Sequence, residues 1–180
     1  GMGLAVGRYG RIVRTEDGGK TWTNIPSPTT VHLHGLSMNE ANTHSGSEFY
    51  DALQESTAWA VGDGGTILQT DDRGLTWRDI TNDVISSLGT NSLKTSQRLT
   101  DISLRAVKHH KLDKEVQILS GGTTVARSVI IVGDHNSILR YDPCAIESDG
   151  TCYEQSYKWI DMSTNLFEDY YGDLYDVHLF

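Results

Sequence analysis

Apolar residues come along this chain in short runs, and clusters of glycine, aspartate and other polar residues divide them. "LAVG" (4–7), "LHGLSM" (33–38), "WAVG" (59–62), "LRAVKH" (104–109), "IIVG" (130–133) and "LYDVHL" (174–179) are rich in β-branched, aromatic or alternating apolar positions. Runs of that length and type, bounded by turn-forming residues, predict strands joined in hairpins. No stretch of twelve or more residues carries a sustained helical stripe, although "SEFYDALQ" (47–54) is long enough for a turn or two. The predicted fold class is all-β.

The runs repeat. "LAVGRYGRIVRTEDGGKTW" (4–22) lies over "WAVGDGGTILQTDDRGLTW" (59–77) at a constant offset of 55 residues. Val6-Gly7 falls on Val61-Gly62, Gly10 on Gly65, and Asp17, Gly19, Thr21 and Trp22 on Asp72, Gly74, Thr76 and Trp77. A more worn copy reads "IIVGDHNSILRYDP" (130–143) and then "YKW" (157–159). There Asn136 stands where Gly10 and Gly65 stood. Asn is the residue after glycine that best tolerates positive φ, so the position calls for a left-handed turn. In this copy Pro143 replaces the aspartate, and an insertion carrying both cysteines precedes the tryptophan.

A second element precedes each Val-Gly: Leu33 stands 29 residues before Gly62, and Leu104 stands 29 before Gly133, across unrelated intervening text. Constant spacing over variable sequence is a geometric constraint. Each unit is then an apolar-alternating strand, a variable excursion, a strand ending in Val-Gly, a tight turn, a third strand, an Asp-Gly corner, and a fourth short strand opened by Trp. Repeated four-stranded antiparallel units of this size predict β-propeller blades. The predicted organisation is one segment over 1–180, with blade cores at about 3–30, 31–84 and 102–165 and an unpaired first strand of a further blade at 172–180. Its phase, opening on a second strand and closing on a first, predicts either excision from a longer chain or a homo-oligomer closed through residues 174–180.

Ser/Thr-x-Asp-x-Gly-x-Thr-Trp, matched at Thr15, Asp17, Gly19, Thr21 and Trp22 and again at Thr70, Asp72, Gly74, Thr76 and Trp77, resembles the Asp-box or BNR repeat of sialidases and sortilin-type receptors. The longer phrase "AVG-x-x-G-x-I-x-x-T-x-D-x-G-x-T-W" is similar to the photosystem II assembly and stability factor family, whose relatives extend beyond photosynthesis. The resemblance implies a propeller whose box turns the corner between third and fourth strands, away from the usual ligand face. The chemistry of the residues agrees: a short Asp accepts hydrogen bonds from its own backbone, Gly permits positive φ, and each Trp offers about 150–250 Å² to bury inward against a neighbouring blade. These box residues, with the turn residues Gly10, Gly65 and Asn136, are expected to be structural.

Candidate chemistry is sparse. Neither box presents the alternating oxygen ligands of a calcium loop, and no facing pair of carboxylates marks a glycosidase. "GRIVRT" has Arg-Ile but lacks the Arg-Ile-Pro motif of sialidases. The seven histidines are His32, His34, His44, His109, His110, His135 and His178; "HLH" alternation sets His32 and His34 on one strand face, as a solvated pair or a metal pair in want of a third ligand. "VGDGGT" has neither the Lys nor the following helix of a phosphate loop. Cys144 and Cys152 are placed for either a small disulfide loop or two free thiols, and the first would suggest an extracytoplasmic (periplasmic, lumenal or secreted) setting. No catalytic, cofactor-binding or metal residue is assigned and no cofactor is expected.

The charge narrows the partners. With 24 acidic against 15 basic residues the formal net charge is −9, which excludes the basic stripe of a duplex nucleic-acid binder. No apolar run reaches the length of a membrane-spanning helix. Specificity is expected in the variable excursions 39–57, 82–101 and 109–127 and in the acidic aromatic segment "NLFEDYYGDLYD" (165–176), which is either an inter-blade connection or a partner surface. The expected function is a non-enzymatic protein-binding or assembly scaffold. The alternatives are part of a sialidase- or xyloglucanase-like hydrolase and an extracellular ligand-binding receptor.

Overall fold

A computed structural model describes residues 1–38, 57–88, 99–118, 122–142, 158–163 and 172–178. In chain order they form β1 (Gly3–Val6), β2 (Ile12–Thr15), β3 (Thr23–Ile25), β4 (Leu33–Met38), β5 (Ala58–Gly62), β6 (Ile67–Thr70), β7 (Arg78–Asp79), helix α1 (Thr81–Leu88), β8 (Leu104–Ile118), β9 (Gly122–Gly133), β10 (Ser137–Asp142) and β11 (Lys158–Asp161). The strands make three antiparallel sheets, ordered β1-β2-β3, β4-β5-β6-β7 and β8-β9-β10-β11. Every strand pairs with its neighbours in sequence, so each sheet is a meander and the class is all-β, as the apolar pattern predicts.

Pairing registers explain the constant spacing. Leu33 pairs with Gly62 and Leu104 with Gly133, and in each case the ladder shifts by one residue immediately afterwards, at Leu33/Gly35 and Leu104/Ala106. The 29-residue interval is therefore the loop that closes a bulged strand pair. At the bulge the backbones of neighbouring sheets nearly touch. A Cβ on Gly35 would lie 2.9 Å from the Arg105 carbonyl oxygen and from the Ala106 Cα, so only glycine fits there.

The middle sheet is buried on both faces. Along β5, Trp59 and Val61 turn toward the third sheet and join Ile131, Leu139 and Trp159. Ala58 and Ala60 turn the other way, with Leu68 and Trp77, to meet Ile12, Leu4 and Val6 of the first sheet. Period-2 alternation thus splits one strand between two cores, and all five residues of β5 are buried. Leu4 of β1 and Trp59 of β5 occupy the same place in the repeat; Trp159 stacks edge-on against Trp59 at 5.7 Å, with Tyr141 closing the cluster.

Two excursions differ from expectation. Part of 82–101 is the eight-residue α1, which buries Val84 against Ile80 and packs Ile85 and Leu88 on the same core. It is too short for the helical period to stand out. The excursion 109–127 is largely strand: β8 runs on to Ile118 and β9 starts at Gly122, pairing through His110↔Ser128 and Val116↔Thr124 with a second irregularity between Lys111 and Glu115. Cys144, Cys152, Pro143, the turn expected at 47–54, His44 and most of 165–176 lie outside the described residues.

Candidate functional site

Antiparallel meanders place their corners at two opposite ends, and the two ends of these sheets are built differently. At one end the second strand turns into the third through Arg8–Gly10, Asp63–Gly65 or the turn at 134–136. The last turn residue is left-handed in all three, with φ of 68° at Gly10, 62° at Gly65 and 57° at Asn136. Its amide then reaches across to the following unit. Gly10 N donates to Val31 O (2.6 Å), Gly65 N to Ile102 O (2.9 Å) and Asn136 N to Gly172 O (2.8 Å), each acceptor lying two residues before the leucine that opens the next first strand. Leu33 N and Leu174 N donate back to Gly7 O and Gly133 O (3.1 and 3.0 Å). The turn is a clasp between units, and residues 172–174 are held in it as 31–33 are.

Side chains over these turns form a polar ridge. The residue after each Val-Gly is Arg8, Asp63 or Asp134, and the residue after each first-strand leucine is His34, Arg105 or Tyr175. His34 Nε2 lies 2.6 Å from Asp63 Oδ1, and the Ser103 hydroxyl donates to the same oxygen at 2.7 Å. Arg105 grips both oxygens of Asp134 through Nε and Nη2, at 2.8 and 3.2 Å, while Ser103 N donates to Oδ2 and the Tyr175 ring lies 5.7 Å from the guanidinium carbon. Burial pushes the Asp63 carboxyl up, but the bonds from His34 and Ser103 outweigh it and hold the group below the ordinary carboxylate range. Asp134 is treated alike: burial raises it, and the Arg105 bond and the Ser103 amide bring it below that range. The bond to Asp134 in turn lifts Arg105.

Serine, histidine and aspartate meet here without the order a nucleophile needs. Ser103 and His34 both address the carboxylate, so the imidazole is not in place to take the Ser103 proton. His32 is also engaged separately, its Nδ1 accepting from Tyr9 N at 3.0 Å. Among the described residues no group of three His, Cys, Asp or Glu side chains is close enough to share a metal ion.

The ridge opens into a pocket at its first unit. Arg8, Tyr9, Gly10, Arg11, Asn24 and Thr29, with their neighbours, line about 440 Å³ of space. The pocket exists because only a short connection, 26–32, follows β3. In the second unit the connection is longer, and α1, Leu99 and Ile102 fill the corresponding space. Arg8, Tyr9 and Arg11 are exposed, on a chain whose net charge is −9.

At the other end of the sheets the Asp-Gly corners share one hydrogen-bond pattern. Thr15 Oγ1 donates to Asp17 Oδ1 (2.8 Å) and accepts from Asp17 N and Gly19 N; Asp17 accepts from Thr21 N (2.9 Å) and Thr21 Oγ1 (2.6 Å). Thr70, Asp72, Gly74 and Thr76 repeat all five bonds to within about 0.1 Å. Three donors occupy each carboxylate, which leaves neither positioned as a ligand or base. Trp77 is buried at 7 % exposure. Trp22 corrects the expectation of inward packing: it is 47 % exposed, its indole N–H bonded to Gly19 O at 3.1 Å. Trp77 and Trp159 each lean on the sheet that precedes their own, and Trp22 has no such sheet among the described residues.

Asp63, Ser103, Arg105 and Asp134 escaped the sequence reading. Their signal was the column after the glycine (Arg8, Asp63, Asp134) and the two columns flanking the leucine (His32, Ser103, Asp173 before it and His34, Arg105, Tyr175 after it), where charged and hydrogen-bonding residues recur. No helix among the described residues is long and apolar enough to cross a membrane. Comparison of the chain with protein-family models, with curated proteins and with solved structures finds no match.

Proposed function

We propose that this chain is a run of Asp-box propeller blades that serves as a non-enzymatic protein-binding scaffold, with the ridge and its pocket as the docking face. Successive meanders of three, four and four strands, packed face to face and joined by one recurring clasp, support the propeller reading. The repeated corner pattern supports the Asp-box reading, in the manner of the assembly-factor family that the sequence resembles. The single observation that carries the binding role is the contrast along the ridge. Arg105 and Asp134 pair with each other and Asp63 is hydrogen-bonded to His34 and Ser103, whereas Arg8, Tyr9 and Arg11 stand exposed around an open pocket. Exposed arginine and tyrosine beside a concavity is the composition of a protein hot spot.

Short peptides selected from a displayed library on the immobilised chain provide the test. Binders are expected to weaken about tenfold or more, ~1.4 kcal/mol, when Tyr9→Ala or Arg11→Ala is introduced. Binders indifferent to both substitutions contradict the docking face. Turnover of an aryl glycoside that a single Asp or Glu substitution abolishes would replace the scaffold with a hydrolase.

A further inference from the structure

The outer faces of the first and third sheets match each other in the way the inner faces do. At the joint between the first and second sheets, Ala60, Leu68 and Trp77 pack against Leu4, Val6 and Ile12. At the next joint Ile131, Leu139 and Trp159 take the first three places, and Trp59, Val61 and Ile67 the second three. Carrying the repeat forward, the outer face of the third sheet carries Ile130 and Ile138, both half-buried, with Val132 already buried between them in the repeat. Carrying it back, the outer face of the first sheet offers Ala5, Val13 and Trp22. Both sets are apolar, and the largest of these side chains, Trp22, stands 47 % exposed.

The outer edge of β1 has no strand partner among the described residues, and residues 172–178 belong to no sheet there. Yet the clasp already holds Gly172 and Leu174 as it holds Val31 and Leu33. Leu33 and Leu104 are buried once paired, while Leu174 is only half-buried.

We propose that the β1 edge takes residues 172–178 of a second copy of this chain as its first strand, Leu174 opposite Gly7 and Val177 opposite Ala5. The registers Leu33↔Gly62 and Leu104↔Gly133, with the shift that follows each, set that alignment. Charge agrees with it. Where the internal pairs bring the residue before the leucine beside the residue after the glycine, as Asp63 N to His32 O and Asp134 N to Ser103 O, the joint between copies brings Asp173 beside Arg8. Tyr175 then comes to Arg8 as Arg105 comes to Asp134. The joint stands on the repeat geometry; it shares Arg8 with the pocket rim, whereas docking at the pocket is tested at Tyr9 and Arg11.

Light scattering on the purified 180-residue chain across a dilution series tests it. The expected mass is twice 19.9 kDa at high concentration, falling toward the single value on dilution. Arg8→Asp and Asp173→Arg should each weaken association about tenfold or more, and the doubly reversed chain should regain it. Trp22→Ser, at an exposed position, should weaken association while circular dichroism stays unchanged. A monomer at every soluble concentration overturns the proposal. So does a dimer that tolerates Trp22→Ser and both charge reversals, because its interface would lie elsewhere.

Discussion

Asp17 shows how a carboxylate is spent on structure. The Thr21 hydroxyl and amide and the Thr15 hydroxyl hold its pKa down to about 2 from 3.8 although the group is open to water. A depressed carboxylate stabilises the fold fully above its ordinary value, and that contribution disappears as the pH falls from about 3.8 through about 2. The stability gap between the native chain and Asp17→Asn should therefore narrow across that window, as read from urea midpoints. A gap constant with pH would show that the carboxylate charge does nothing. Thr70 is the stronger brace because it is almost wholly buried, giving its proton to Asp72 and accepting two backbone amides. Thr70→Val keeps the shape but strands those amides, and should cost about 1–3 kcal/mol in denaturant unfolding. These corners were legible in the sequence, because a local hydrogen-bond motif needs fixed residue types at fixed spacing. Asp63 and Asp134 were harder to find: their partners come from strands 29 residues away, and no local spacing reports such a pair.

Among the elements, the left-handed turn that clasps the next unit is the most demanding. A Cβ at Gly65 would sit 2.1 Å from the Leu99 carbonyl oxygen, and φ is positive besides. Gly65→Ala should destabilise by about 2 kcal/mol or more, from backbone strain together with loss of the clasp. One residue earlier the outcome should differ. Gly64 also has positive φ, but its surroundings are open, and Tyr9 and His135 hold the same conformation at the matching positions. Gly64→Asn should fall within about 0.5 kcal/mol of the native chain by the same measurement. The left-handed position was readable because Asn136 replaces glycine there, and the strand register was readable from the 29-residue interval. Helix α1 and the long β8–β9 hairpin were not. The helix spans scarcely two turns and buries only Val84 fully, and a hairpin that departs from the repeat leaves no second copy to align with it.

At the scale of the whole molecule, one repeated residue has two environments. Trp77 sits between two sheets, and Trp77→Ala should cost about 3–5 kcal/mol, as large aromatic deletions in a core do. Trp22→Ala in the dissociated chain should cost about 1 kcal/mol or less, since its ring is half in water. Sequence alone made the two tryptophans equivalent, because the motif around them is the same. The difference is set by which sheet stands in front of each, a property of the assembly that no local pattern carries. The pocket beside Arg8 has the same origin, lying where a short connection leaves uncovered what α1 covers in the next unit.

One joint between units recurs three times along the chain, and amide hydrogen exchange tests it most directly. The amides of Gly10, Gly65 and Asn136, which bridge from one unit to the next, should exchange as slowly as those of the paired strands and far more slowly than the exposed Gly64 amide one residue away. If any of the three exchanges at the rate of an open loop, the units are not clasped as described, and both the proposed propeller and the proposed joint between copies lose their basis.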